Sequence, residues 1–177
     1  MFLNSRECKL GDIVHVAKGA GNFKTLLKIL SELEVPRHGH RGPSMTFVDV
    51  LKMKRQVTLF APTDEAFAKL PEGTIESLTE EQKQKIISRH FIPGKEISAE
   101  EVITGIVKTF GNESIKLFNT DEEWPITQYN ELYDTEGLYQ FKIDYKGNII
   151  SVVNHDVLAS NGYIHAIDKV ILPLADE

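Results

Sequence analysis

Two segments leave this chain little freedom in how it folds. Val57-Thr58-Leu59-Phe60-Ala61 is a run of β-formers that meets the corner Pro62-Thr63-Asp64 and then the helix-like Glu65-Ala66-Phe67. Thr63 or Asp64 can cap the amides that follow, and acidic groups suit the positive end of a helix. About a hundred residues later, Asn161-Gly162 offers positive φ and a type I′ turn signal ahead of Tyr163-Ile164-His165-Ala166-Ile167. Each segment is a strand joined to a sharp turn.

Bulk properties bound the rest. A chain of 177 residues suits one domain and buries enough surface to need no covalent staple. Hydrophobic residues at 41% and charged residues at 26% are ordinary for a soluble globule. A net charge of −6 argues against a surface that tracks nucleic-acid phosphates. Cys8 stands alone, so it forms neither an internal disulfide nor a thiolate metal cage. No apolar run approaches the ~18 residues of a bilayer span. The first residues lack the apolar core of a signal peptide, which implies an intracellular chain or one whose leader has been removed.

Local signals fill in the order of elements. Asp12 is an N-cap ahead of Ile13, Val14, Val16 and Ala17, and Gly19-Ala20-Gly21 breaks that helix. Asn22 is placed to cap the next helix, whose Phe23, Leu26, Leu27, Leu30 and Leu33 form one apolar stripe ending at Pro36. The polar, Gly-rich stretch from Arg37 to Ser44 reads as a loop, followed by a helical turn over 46–53. Thr79 with Gln82, and Ser98 with Glu101, are capping boxes; the first opens a helix over 83–91 in which Ile86, Ile87 and His90 share a face.

The pattern then turns to β. Residues 106–110 and 114–118 flank a hairpin turn at Gly111-Asn112-Glu113. Tyr139, Phe141, Ile143 and Tyr145 alternate with polar residues, and Lys146-Gly147-Asn148 turns the chain into a strand over 149–153. Helices crowd the first half and strands the second, which predicts an α+β fold.

The chain resembles the fasciclin family. Thr58 to Phe67 resembles the family's first segment, with Leu59 where Val is usual; His90 before Pro93-Gly94 resembles its middle element, with Arg89 where Tyr is common. Asn161 to Pro173 resembles its second segment, Asn-Gly-x-Ile-His-x-Ile-Asp-x-Val-Leu-x-Pro. The resemblance implies a single domain over 10–175 built as a β-wedge of about seven strands with helices packed on one side, from which 36–56 and the acidic 119–138 stand out as surface excursions. It assigns structural roles to Thr58, Phe60, Pro62, Thr63, Asp64, Phe67, His90, Asn161, Gly162, His165 and Asp168.

The function it implies is a non-enzymatic adhesion or binding module, without cofactor or metal, that recognises a protein or matrix polysaccharide. Such a module is exported to the cell surface or periplasm and is a monomer or weak oligomer. The alternative is a carrier of a carotenoid- or lipid-like molecule in a groove of the same fold. Asp156-Val157 stands where animal members carry an Asp-Ile pair implicated in integrin binding; with Trp124, Tyr129 and Tyr133 it makes the candidate interaction set.

Competing chemistry has less support. Ser160, His165 and Asp168 have hydrolase residue types but no strand–turn–helix nucleophile elbow. In apolar surroundings His165 and Asp168 read as structural hydrogen-bonding residues, and His90 as a satisfied boundary histidine. Glu65, Glu76 and Glu80 read as a solvated helix face, and His38-Gly39-His40 lacks the further ligands of a metal site. Asn112-Glu113-Ser114 fits an N-glycosylation sequon. Trp124 is either an interface anchor or a cover that folds back.

Overall fold

The computed structural model describes residues 11–35, 42–53, 55–101, 105–119 and 141–172. Trp124, Tyr129 and Tyr133, with the rest of 120–140, lie outside them, as do Cys8, His38, His40 and Pro173.

Seven strands form one mixed sheet: β1 Val57–Pro62, β2 Phe91–Pro93, β3 Gly105–Lys108, β4 Ser114–Asn119, β5 Phe141–Tyr145, β6 Asn148–Ala159 and β7 Gly162–Ile167. Their order is β2-β1-β7-β6-β5-β4-β3. The β1–β7 pair is parallel, in register from Val57 opposite Gly162 to Pro62 opposite Ile167; the other pairs are antiparallel. The two segments that dominate the sequence are therefore neighbouring strands.

Among the described residues six α-helices accompany the sheet: α1 Ile13–Ala20, α2 Lys24–Glu32, α3 Phe47–Lys52, α4 Asp64–Ala68, α5 Thr74–Ser77 and α6 Glu80–Ser88. One core lies between helices and sheet, joining Ile13, Leu26, Leu30, Phe47 and Leu51 to Leu59, Ala61, Ile164 and Ala166. A second fills the wedge with Phe60, Ile115, Leu117, Ile143, Tyr145, Ile150 and Ile167. Because β1 feeds both cores, all six of its residues are buried, which accounts for a strand that is apolar at every position but Thr58.

Several expectations change in detail. Helix α1 runs through Gly19 and stops at Gly21, whose φ of 79° supplies the left-handed cap. The 46–53 turn is a full helix in which Phe47 and Leu51 are buried, so this part of 36–56 belongs to the core rather than to a surface excursion. The helix expected over 83–91 ends at Ser88, and Phe91 starts β2. The strand expected over 149–153 continues to Ala159: its first half pairs with β5 and its second with β7, across two irregularities in register. Polar Asn154, His155 and Asp156 fall at those irregularities, which is why alternation failed to reveal the strand.

The type I′ pattern is also displaced. Ala159 pairs directly with Gly162, so the hairpin loop is Ser160-Asn161, and Asn161 does not have positive φ. Positive φ at two consecutive loop residues occurs instead at Lys146 and Gly147, between β5 and β6.

Candidate functional site

The motif residues form a set of clamps at the parallel strand junction. A Cβ on Gly162 would stand 1.7 Å from the Val57 carbonyl oxygen, so only glycine permits this approach. Asn161, nearly buried, donates from Nδ2 to the Leu51 and Met53 carbonyls at 2.7 and 3.2 Å and accepts the Ile13 amide at 3.0 Å. One side chain thus ties the start of α1 and the end of α3 to the sheet. Thr58 Oγ1 donates to the Lys95 carbonyl and accepts the Ile97 amide, which holds the chain beyond β2.

At the corner after β1, the alternatives Thr63 and Asp64 divide the work. Thr63 accepts the Ala66 amide and caps α4. Asp64 accepts the Lys24 and Thr25 amides and caps α2, the role expected of Asn22. Helix α2 has no side-chain cap of its own. Burial works to raise the Asp64 carboxyl, but its hydrogen bonds with Thr25 and Lys24 outweigh it and hold it below the ordinary carboxylate value. Pro62 ends β1 fully enclosed, and Phe67 is partly buried against the helix-side core.

Both motif histidines are spent on the backbone. His90 is buried; its Nδ1 lies 2.7 Å from the Ile86 carbonyl and its Nε2 accepts the Ile171 amide at 3.1 Å. His165, fully buried and stacked on Phe60, accepts the Asp156 amide at Nδ1, and its Nε2 is 2.7 Å from the Ile97 carbonyl. These partners assign each ring as neutral, with the proton on the nitrogen facing the carbonyl. Burial lowers the His90 pKa from 6.5 to about 4 and lowers that of His165 as well.

The residues of a Ser160–His165–Asp168 triad do not assemble. Asp168 accepts the Ser151 amide at 3.0 Å, while Ser160 sits exposed in the β6–β7 loop with its amide bonded to the Gly11 carbonyl.

Asp156 and Val157 are built into the fold. Asp156 takes φ 55° within β6, and its Oδ1 accepts the Ala99 amide at 2.8 Å while Oδ2 lies 3.0 Å from His155 Nδ1. Val157 packs against the helix-side core. The pair thus joins β6 to the Ala99 turn, and its carboxylate is engaged within the domain.

A partly buried ionic group went unread in the sequence. Arg89, only 5% exposed, donates Nε and Nη2 to the two carboxylate oxygens of Glu113 at 2.6 and 3.0 Å. Tyr145 Oη donates to the same carboxylate at 2.7 Å, and the guanidinium lies over the Tyr145 ring. Burial tends to raise the Glu113 carboxyl, but the Arg89 and Tyr145 hydrogen bonds prevail and lower it. The one sequence signal was Arg89 standing in place of the family's Tyr. Next to Glu113, the sequon residue Asn112 is exposed at the loop tip with φ 60°.

Two clefts open on the helical side. One, of about 600 Å³, lies between α2 and α4–α6; it includes Glu76 and Glu80 of the acidic face expected there. The other, of about 620 Å³, lies between α6 and the β3–β4 loop. Among the described residues, no cluster of His, Cys, Asp and Glu could hold a metal ion, and no helix is long and apolar enough to cross a membrane.

Comparison with known proteins gives this geometry its relatives. The Fasciclin domain family model matches residues 21–173. Protein sll1483 of Synechocystis is 33% identical over 165 residues, spanning 91% of this chain and 73% of the relative. Fasciclin-like arabinogalactan protein 12 of Arabidopsis thaliana is 22% identical, spanning 92% of this chain and 58% of its own. Among solved structures, a FAS1 domain pair from the insect cell adhesion molecule fasciclin I has a similar fold, with TM-score 0.65 at 18% identity; it covers 93% of this chain, which spans about half of that one (52%). By the extent of these matches, the chain belongs to the fasciclin domain family, which includes cell-adhesion proteins.

Proposed function

We propose that this domain is a non-enzymatic adhesion or binding module that recognises a protein or matrix polysaccharide at the cell surface or in the periplasm. One observation carries the reading: the motif residues with catalytic potential are consumed by the scaffold. His90, His165 and Asp168 all hold backbone groups, so the interior is committed to rigidity and recognition falls to the outside. The family's cell-adhesion members support the same reading.

The test is bead retention. Beads carrying the domain are passed over surfaces coated with a fibrillar matrix protein, with arabinogalactan, or with the domain itself. Retention above that of beads carrying heat-denatured domain supports the proposal, and background retention on all three surfaces overturns it.

The cleft of about 620 Å³, whose walls include Val35, Ser88 and Phe110, favours a second reading as a carrier of an apolar small molecule; its size falls within the usual range for ligand pockets. A visible absorbance band or lipid extracted from purified protein supports that reading. Clean extracts from protein exposed to carotenoid and fatty acid reject it.

A further inference from the structure

The larger surface question is which part of the domain meets its partner. The cleft between α2 and α4–α6 combines an apolar floor with a charged rim. The floor is apolar, lined by Ile29 of α2, Leu33 just beyond it, Phe67 of α4 and Ile75 of α5. The rim carries four carboxylates, Glu32, Glu72, Glu76 and Glu80, against two lysines, Lys28 and Lys83. None of these six charged side chains has an ion pair or hydrogen bond among the described residues. The structure therefore surrounds an apolar trough with charges that neutralise nothing inside the domain.

The outer wall is unusual too. Helix α5 has no buried residue. It is held by local bonds, with Ser77 N–H on the Gly73 carbonyl and Thr74 Oγ1 on the Pro71 carbonyl. So short a helix is marginal by itself; its packing rests on Ile75, partly buried against the helix-side core, and it places Ile75 on the trough and Glu76 on the rim.

We infer that this cleft docks a basic segment of a partner protein, an apolar side chain flanked by Lys or Arg, with the side chain in the Phe67–Ile75 trough and the cations against the acidic rim. The inference rests on the binding-module reading and specifies its partner class. A second copy of this chain is a poor occupant, because two chains of net charge −6 repel. A neutral polysaccharide would leave the rim charges unanswered. Charge complementarity at such a rim chiefly speeds encounter and sets specificity, and it weakens as salt screens it.

The test uses a short synthetic peptide with two Leu residues flanked by Lys, and a charge-matched peptide with Ser in place of Leu. Binding to the full chain is followed by NMR shift mapping and by fluorescence titration at low and physiological salt. The Leu peptide is expected to perturb α2, α4 and α5 amides. Its affinity is expected to fall roughly fivefold in Glu72→Gln/Glu76→Gln, as removal of two rim charges implies, and to be unchanged in Glu81→Gln/Glu96→Gln, which removes the same charge elsewhere. Equal binding of the Ser peptide, equal losses in both double variants, or shifts scattered over the acidic surface would overturn the proposal. The bead assay separates the two levels. If Glu72→Gln/Glu76→Gln beads are retained like the parent on any surface, the cleft is not the docking site although the module still binds. If parent beads are not retained on any surface, the binding-module reading itself fails.

Discussion

Asp64 caps a helix that is not its own. Its carboxylate accepts the Thr25 amide at 2.8 Å and the Lys24 amide at 3.3 Å, 39 and 40 residues earlier in the chain, while its own amide donates to the Asn22 carbonyl. The family corner thus locks the first helical layer onto the end of β1. Asp64→Ala should cost about 1–2 kcal/mol in urea unfolding, the usual loss of a helix cap. Asn22→Ala should stay within ~0.5 kcal/mol, since its side chain caps nothing. Equal losses from the two would contradict the assignment.

Gly162 and Gly147 both have positive φ, yet they should respond differently to alanine. At Gly162 the new methyl meets the Val57 carbonyl at 1.7 Å, whereas at Gly147 it meets nothing within 4 Å. Gly147→Ala should lose about 1 kcal/mol from backbone strain alone. Gly162→Ala should lose more than about 3 kcal/mol, because strands β1 and β7 must separate to admit it. Thermal melts of the two proteins decide the matter.

Asn161 precedes a glycine, a setting prone to deamidation, but its amide nitrogen is engaged by two carbonyls. Asn161→Asp replaces those donors with a carboxylate facing the Leu51 and Met53 oxygens. The expected cost is about 2–4 kcal/mol. Hydrogen exchange should show protection lost first at the start of α1 and the end of α3; uniform loss across the sheet would argue against the clamp.

Acid should weaken the domain before ordinary carboxylates titrate. Depressed histidine pKa values mean that the native state favours the neutral rings, so their contribution is complete above about pH 6.5 and is lost as pH falls toward the folded value. For His90 the window runs from 6.5 to about 4, and across it the unfolded chain gains a proton that the native protein refuses. At about 1.4 kcal/mol per pH unit, this group alone removes roughly 3 kcal/mol. His165 adds in the same direction. Urea midpoints at pH 7.5, 6 and 5, with histidine Cε1 shifts tracked by NMR, test this; stability flat between pH 7 and 5 would refute it.

Arg89 and Glu113 should behave as a unit. Glu113→Ala leaves a guanidinium buried without its carboxylate and should cost about 3–5 kcal/mol. Arg89→Met/Glu113→Met should cost distinctly less than the sum of its single variants, because no lone charge remains. A double-mutant cycle by urea unfolding measures the coupling, and additive losses would show that the pair is incidental.

The sequence disclosed local chemistry more readily than long-range chemistry. The Thr79–Gln82 box, the Asp12 cap and the buried run of β1 follow from neighbours in the chain, and all are present. The Asp64 cap, the Asn161 clamp and the Arg89–Glu113–Tyr145 group depend on residues between 24 and 148 positions apart, which no periodicity records. Strand β6 escaped full reading because its bulges break the two-residue alternation that marks a strand. Among the interaction candidates, Asp156 holds the Ala99 amide and Val157 packs against the helix-side core. The charged cleft drew no notice as a whole because its residues come from four short helices and the turns beside them, each ordinary when read alone.

The central place of β7 has a consequence for how the chain is made. It is the last of the described strands in sequence, yet it lies between β1 and β6. Until β7 forms, β1 has β2 on one side and on the other a row of unpaired amides and carbonyls. Closure waits for Gly162 to Ile167 to pair with β1, which places the decisive contacts at large sequence separation. A nascent chain stalled before this point carries a ready template for a strand from another molecule.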